Sequence, residues 1–369
     1  MASKIDRRLF PEARLIIGNG FDLKVGLRSS YKDYFKHKAN DYLWFRNVLR
    51  LANDNYETFD NYDINNFPNE LPDNLNLWDY IFYALSTKAI VIEYWCDVEK
   101  VIQKCLFSTD WFLSLSKLAD NLSSLIAYKN KYLNYDQSDI FFIKHLILNK
   151  IRKGIIVDEK TFYQYLKREL KRFESSFIAY LDEEIKKIDY PMKAKGLVST
   201  IMGKDEYNIT QVDSFNYTGF TSKHMDFFNI NGDMSFPIFG VDSSQIKDSN
   251  DERRIFTKQY RRLERILICD PKPSICGDEC IYFYGHSLNE QDYDYFFTLF
   301  DRLNLLNEFD RRFVFAYTLY DKGRKEIIEK NLLDAIYALF FTYEKSKGVD
   351  SPKLVTSLIS EGKIVIKTV

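Results

Sequence analysis

The sequence predicts an α/β protein with a Rossmann-like, mostly parallel sheet and a large all-helical insertion after the first strand. Residues 13–17 form a short apolar run that ends in glycine, which is typical of a buried strand. Helical periodicity dominates the chain from 29 to 206, and strand-like runs then alternate with helical stretches. Such alternation favours a parallel sheet. We therefore expect an α/β domain made of 10–28 and 207–369, with 29–206 as a helical module.

Two segments carry the helical signal of the insertion. Residues 77–107 and 158–188 both show apolar side chains at three- and four-residue intervals, and Asp158 is a plausible N-cap of the second segment. Between these segments and the first glycine run, residues 53–77 are polar and contain two prolines, which indicates an exposed loop.

The strand-like runs of the second half are separated by helices in several places. The predicted strands are 210–216, 227–230, 236–241, 280–285, 312–320 and 363–369. The predicted helices are 253–265, 289–302 and 323–344. The polar segment 242–254 is expected to be a surface loop or a small lid.

Charge and composition narrow the function classes. Lys plus Arg number 52 and Asp plus Glu 53, so the net charge of -1 gives no overall field that would attract nucleic acid or an acidic membrane. The basic stretches 167–168, 171–172 and 261–262 are interpreted as solvated helix faces. The beginning of the chain lacks a targeting signal and no run of 18 apolar residues occurs, so we expect a cytoplasmic protein.

The cysteines indicate neither a disulfide framework nor a metal centre. Their number, five, is odd and fits a reducing compartment. Cys269, Cys276 and Cys280 with His286 have zinc-binding side chains, but their spacing matches no common zinc site. We predict no metal.

Four loops that follow predicted strands combine glycine with short polar side chains. In a parallel sheet these loops meet at the carboxyl edge, where ligands gather. The loops are Gly18-Asn19-Gly20-Phe21-Asp22, Phe215-Asn216-Tyr217-Thr218, Asn231-Gly232-Asp233 and Gly285-His286-Ser287-Leu288.

These side chains fit a nucleotide site. The glycines would let backbone N–H groups approach phosphate or ribose oxygens. Asn216 and His286 could bind ribose hydroxyls or polarise a reacting atom, and Asp22 could accept a hydrogen bond from a ribose. The alternative is that the glycines only make tight strand-to-helix turns, with Asp22 as an N-cap.

The order of motifs along the chain resembles the AbiH family of bacterial abortive-infection proteins, which act in defence against bacteriophage. The resemblance rests on "LIIGNGFDLKVGL", "YWCDVEKVI" with Trp95, Asp97 and Glu99, "LKRELKRFESSFIAYL", "DSFNYTGF", "FFNINGD", "FPIFGVD" and "YFYGHSLNEQDYDYFF". From the residues alone, Trp95 is interpreted as a buried side chain, and Asp97 and Glu99 as capping or salt-bridged acids.

That family is in turn remotely similar to SIR2-like domains, whose Rossmann-type fold binds NAD. The similarity implies that Gly18, Asn19, Gly20, Phe21 and Asp22 line the phosphates and that Asn216 holds the ribose or a water. The loop from Gly285 to Ser287 would close the site, and Tyr217 and Gly232 would lie in it. Asn231 departs from the family pattern, which has histidine there; asparagine cannot accept a proton near neutral pH.

Three hypotheses follow. The first is an anti-phage effector that binds NAD or a related nucleotide at this site, with or without hydrolysing it, and has Asp22, Asn216 and His286 as the candidate reacting groups. The second is a nuclease or nucleic-acid-binding effector in which Asp22, His286 and Asp292 hold a metal or transfer protons. The third is a non-enzymatic protein whose loops sense a phage component or a nucleotide and whose helical module mediates oligomerisation. The expected partners are a nucleotide, a phage-derived trigger and a second copy of the chain, whereas a membrane or nucleic acid is not favoured.

Overall fold

The computed structural model describes residues 11–52, 67–87, 95–108, 114–127, 141–205, 207–267, 279–308 and 310–369. They pack as two compact units. The sheet unit takes the described residues of Met1–Ser29, Asp182–Pro237 and Glu264–Val369, and the helical unit those of Ser30–Leu181 and Ile238–Leu263. The domain boundaries expected from the sequence, at 28 and 207, remain a prediction.

The sheet has six strands, all parallel, in the order β3-β2-β1-β4-β5-β6. This arrangement confirms the predicted Rossmann-like α/β fold. The strands are β1 Glu12–Ile17, β2 Asn208–Ser214, β3 Asp226–Asn229, β4 Cys280–Tyr284, β5 Arg312–Tyr317 and β6 Ile364–Thr368. The order reverses at β1, whose Leu15 pairs with Val212 on one side and Tyr282 on the other.

Helices cover the sheet unit and make up the helical unit. In chain order they are α1 Asn19–Lys24, α2 Tyr31–His37, α3 Ala39–Ala52, α4 Leu77–Thr87, α5 Trp95–Phe107, α6 Leu115–Asp120, α7 Leu122–Ala127, α8 Phe141–Arg152, α9 Glu159–Lys186, α10 Tyr190–Met202, α11 Lys258–Ile266, α12 Tyr293–Arg302, α13 Lys325–Ser346 and α14 Leu354–Ser360. The predicted helices at 253–265, 289–302 and 323–344 correspond to α11, α12 and α13, whereas α14 was not predicted. None of the helices within these described ranges is long and apolar enough to cross a membrane.

The sheet is buried on both faces because successive side chains of a strand point to opposite sides. Leu15 and Ile17 belong to a core cluster with residues of α10, whereas Ile16 belongs to a second cluster with residues of α12 and α13. The apolar run that predicted β1 therefore reflects a strand covered on both faces.

The helical unit agrees with the predicted periodicity and differs in its first loop. The Asp158 side chain accepts a hydrogen bond from the Thr161 N–H at 2.8 Å, which confirms it as the N-cap of α9. The segment 67–76 is a loop, as predicted, but Phe67 and Leu75 are buried in it. Residues 53–66 of the predicted loop lie outside the described residues.

The predicted strand 236–241 is wrong. This segment is irregular, and its backbone hydrogen bonds are not made to a strand of the sheet. The Phe239 N–H donates to the Glu174 carboxylate, and the Val241 N–H donates to the Phe256 carbonyl. Ile238 and Phe239 are fully buried. An apolar run therefore marks burial here, and a side-chain carboxylate replaces the neighbouring strand as acceptor.

Candidate functional site at the carboxyl edge of the sheet

The four loops predicted to form a site follow β3, β2, β1 and β4, which are neighbours in the sheet. Because all strands are parallel, these loops emerge at the same edge. The strand order reverses between β1 and β4, which is where open α/β sheets bind ligands. The fold therefore brings the predicted loops together.

The glycines of the β1 and β4 loops are in contact with each other. The Gly18 N–H donates to the Tyr284 carbonyl at 3.1 Å, and the Gly20 N–H to the Gly285 carbonyl at 2.8 Å. A Cβ added to Gly18 would lie 2.7 Å from the Gly285 oxygen, and one added to Gly285 would lie 2.4 Å from the Phe21 nitrogen. Here the glycines let two loops pack backbone against backbone.

Asp22 is held inside the sheet unit. Its carboxylate accepts hydrogen bonds from the Tyr190 hydroxyl at 2.6 Å and from the Thr218 hydroxyl at 2.7 Å. Burial raises its pKa to about 6, against the lowering effect of these hydrogen bonds. The N-cap of α1 is Gly18, so the alternative role of Asp22 as an N-cap is wrong.

Asn216 connects the β2 loop to the β1 loop. Its side-chain amide donates to the Gly18 carbonyl at 3.0 Å, and its backbone N–H donates to the Ser214 hydroxyl at 3.1 Å. The side chain is 4% exposed. Asn216 thus fixes the position of the glycine loop.

Asn231 has a buried acceptor that the described chain leaves unsatisfied. The residue is 1% exposed, its Nδ2 lies a long 3.4 Å from the Phe215 carbonyl, and its Oδ1 meets no donor among the described residues. The next residue, Gly232, has φ +82°, which favours glycine. A buried amide oxygen without a donor is costly unless a ligand or water completes it.

His286 uses both ring nitrogens. Nδ1 accepts from the Leu288 N–H at 2.9 Å, and Nε2 lies 3.4 Å from a carboxylate oxygen of Asp292. The ring packs against Phe215 with 4.2 Å between ring centroids. Leu288 has φ +53°, a conformation that a leucine rarely adopts, so this turn is strained.

The other predicted site residues have packing or loop contacts. Asn19 accepts from the Ser29 hydroxyl at 2.5 Å, and Ser287 accepts from the Asn289 amide at 2.7 Å. Phe21 is fully buried beside Phe220. Tyr217 is buried as well. Their predicted role in ligand binding stays a prediction.

The sequence reasoning missed a polar network beneath the site. Arg14 of β1 forms a buried ion pair with Asp213 of β2 at 2.6 Å, and Gln211 and Tyr295 also donate to Asp213. The signal in the sequence is a charged side chain inside each of two apolar strands. Such charges rarely lie in a buried strand without a partner.

Tyr190 and Arg265 were also missed. Tyr190 is the first residue of α10 and nothing near it in sequence points to Asp22, 168 residues away. Arg265 donates to the Asn229 carbonyl and to Asp233 at 2.6 Å, and so holds the β3 loop.

Several other predicted features lie elsewhere. Glu99 forms a buried ion pair with Lys258 at 2.9 Å in the helical unit, as the salt-bridge interpretation expected. Neither the side chains of Trp95 and Asp97 nor residues Cys269 and Cys276 are among those described.

The described residues offer no metal site. Within these ranges no group of three His, Cys, Asp or Glu side chains could hold a metal ion. Cys280 is fully buried in β4. The metal-dependent form of the nuclease hypothesis would need Asp22, His286 and Asp292 around one metal; its acid–base form stays a prediction.

Comparison with known proteins agrees with the motif pattern. No curated protein and no solved structure matches the chain at a significant level. The sequence model described as "Bacteriophage abortive infection AbiH" matches residues 15–315, which run from within β1 to within β5 and include the loops of the candidate site. The chain therefore belongs to the AbiH family of bacteriophage abortive-infection proteins.

Proposed function

We propose that this chain acts in phage defence by binding NAD or a related nucleotide at the carboxyl edge of its sheet and hydrolysing it. The observation that carries the proposal is the gathering of four polar loops at the point where the strand order reverses. Rossmann-type sheets bind nucleotides at this position.

The site is better suited to binding a ribose through its polar side chains than to binding a phosphate through its glycine loops. Gly18, Gly20 and Gly285 are packed against the neighbouring loop, so their Cβ positions are filled by protein. Asn231 Oδ1, in contrast, needs a donor, and a ribose hydroxyl is a donor of the right kind. Recognition in this proposal therefore depends on Asn231.

The hydrolytic step would use the His286–Asp292 pair. Water adds to the ribose carbon of NAD, nicotinamide leaves as a neutral base, and one proton of the water must be taken up. Since Nδ1 of His286 accepts the Leu288 N–H, the neutral imidazole carries its proton on Nε2, towards Asp292. Asp292 is then the proton acceptor, and His286 orients its carboxylate.

Binding is tested by thermal unfolding with NAD and with ADP-ribose. We expect both to raise the Tm of the wild-type chain and the Asn231→Ala variant to lose most of that increase. Asn250→Ala, an exposed asparagine of the helical unit, is the matched control and should respond like the wild type. Absence of any shift in a well-folded sample would refute the proposal.

Hydrolysis is tested by nicotinamide release in phage-infected cells, where any trigger is present. Asp292→Asn should lower release by roughly 100-fold or more, the usual contribution of a positioned acid or base. Normal release by that variant would remove Asp292 from the mechanism. Unchanged NAD in infected wild-type cells would leave a nucleotide sensor as the function.

A further inference from the structure

A cavity of about 520 Å³ lies within the helical unit, between one face of α9 and the loop that precedes α4. Its volume is in the range of small-molecule sites. Four cationic side chains line it, those of Lys38, Arg168, Lys171 and Arg172, against one carboxylate, that of Asp73. Lys38 and Arg172 each have a carboxylate partner, Asp41 and Glu169, so the excess positive charge of the cavity lies on Arg168 and Lys171.

Two of the cations build the wall. Lys38 is buried, donates to the Asn74 carbonyl at 2.7 Å and forms an ion pair with Asp41 at 2.8 Å. Arg172 donates to the carbonyls of Asp73 and Leu75 and pairs with Glu169 at 3.1 Å. Arg172 thus bonds the loop to α9, and Lys38 bonds it to the end of α2, which fixes the shape of the cavity.

The other two cations are available to a ligand. Arg168 and Lys171 are exposed, and no carboxylate among the described residues pairs with Lys171. Being three residues apart on α9, they lie on the same helix face, one turn from each other. Two cations in this arrangement can bind neighbouring anionic groups of one molecule.

Neutral donors add to the cationic ones. The Ser176 hydroxyl oxygen accepts from the Tyr34 hydroxyl at 2.9 Å, so its own hydrogen is left to donate. The exposed Asn74 contributes an amide to the lining. A wall with many donors and few acceptors suits an oxygen-rich anion.

We propose that this cavity binds a small polyphosphate, either inorganic or as the phosphate chain of a nucleotide. The net charge of -1 gives no overall basic field for a nucleic-acid backbone. No aromatic side chain lines the cavity among the described residues, so recognition rests on the phosphates and not on a base. The residues of this cavity belong to the helical unit, and those of the carboxyl edge of the sheet to the sheet unit.

The test is calorimetric titration of the full-length protein with pyrophosphate, ATP and a single-stranded RNA. Pyrophosphate and ATP should both bind, with affinity that falls as salt rises. Arg168→Ala with Lys171→Ala should weaken both at least about tenfold, since two charge-assisted contacts are lost. The matched control is Lys160→Ala with Lys186→Ala, which removes the same charge from α9 outside the cavity and should change affinity less than about twofold.

Each contrary result would overturn the proposal. The proposal fails if pyrophosphate does not bind, or if the control variant weakens binding as much as the cavity variant does. It also fails if ATP binds and pyrophosphate does not, or if only the RNA binds. Loss of pyrophosphate binding in Asn231→Ala would place the anion at the sheet edge and so contradict this site without touching the proposed function. If the double variant does not fold, Lys171→Gln at its exposed position should still weaken binding about threefold.

Discussion

The sheet unit and the helical unit each bury a carboxyl group whose pKa burial raises to about 6, yet they hold it differently. Asp79 of the helical unit bonds to Asn76, three residues earlier, and lies near the Lys38 cation. Asp22 of the sheet unit is bonded by Tyr190 and Thr218, which lie 168 and 196 residues away in sequence.

The difference separates a local role from a long-range one. The reciprocal bonds of Asn76 and Asp79 close the first turn of α4, which is a helix-capping arrangement. Asp22 instead joins α1 to α10 and to the β2 loop, beside the candidate site. We infer that Asp22 stabilises the arrangement of the loops.

The largest effect is expected where the glycine contact beside Asp22 is broken. In Gly285→Ala the new Cβ would clash with the Phe21 nitrogen, and φ +66° is already unfavourable for alanine. We expect a loss of more than about 3 kcal/mol in the free energy of unfolding, measured with urea.

Gly154→Ala is the control for that experiment in the helical unit. Its φ is +68°, but nothing lies within 4 Å of the added Cβ. Only the backbone strain of about 1–2 kcal/mol should remain. Equal losses in the two variants would show that the contact between the β1 and β4 loops contributes little.

The second-largest effect is expected in the pH dependence of the free energy of unfolding, to which Asp22 contributes. Because its pKa is raised in the folded state, the unfolded chain ionises first as pH rises from about 4, and stability falls until pH passes about 6. Asp22→Asn should remove up to roughly 3 kcal/mol of that fall between pH 4 and 6.5. Urea unfolding at both pH values measures it, and an unchanged slope would mean that Asp22 is ionised when folded.

The smallest change in stability is expected when the tyrosine that donates a hydrogen bond to each of the two carboxyl groups is replaced by phenylalanine. Tyr190→Phe removes a 2.6 Å hydrogen bond that lowers the pKa of Asp22, so the pH-dependent loss should extend above pH 6. Tyr42→Phe removes a 2.9 Å hydrogen bond to Asp79. Asp79 then still has its hydrogen bonds with Asn76 and the nearby positive charge of Lys38. Each should cost about 1 kcal/mol, and the shift of the pH profile should be larger for Tyr190. The reverse order would contradict the distinction between the two carboxyls.

The sequence predicts what depends on local pattern. The apolar run of β1, the Asp158 cap of α9 and the loops after the strands were all predictable because period, capping and glycine placement are local properties. The run 236–241 was misread because burial alone does not distinguish a strand from an irregular segment.

The candidate site was predictable as a set of loops and not as a set of contacts. That Gly18 and Gly285 pack on each other, and that Tyr190 reaches Asp22, depends on pairing between segments far apart in the chain. The one overlooked signal was the charge of Arg14 and Asp213 inside apolar strands, which indicates a buried pair.

The strand order also has a consequence for how the chain is made. β1 ends at Ile17 and its neighbour β2 begins at Asn208, so 190 residues must be synthesised between two strands that pair. At roughly 5–20 residues per second, the ribosome needs on the order of 10–40 s for that stretch. Throughout this interval the central strand has emerged without either partner, while the bulk of the helical unit is completed. The nascent chain therefore exposes the apolar residues of β1 longest, and chaperone dependence in the host should be greatest at this stage.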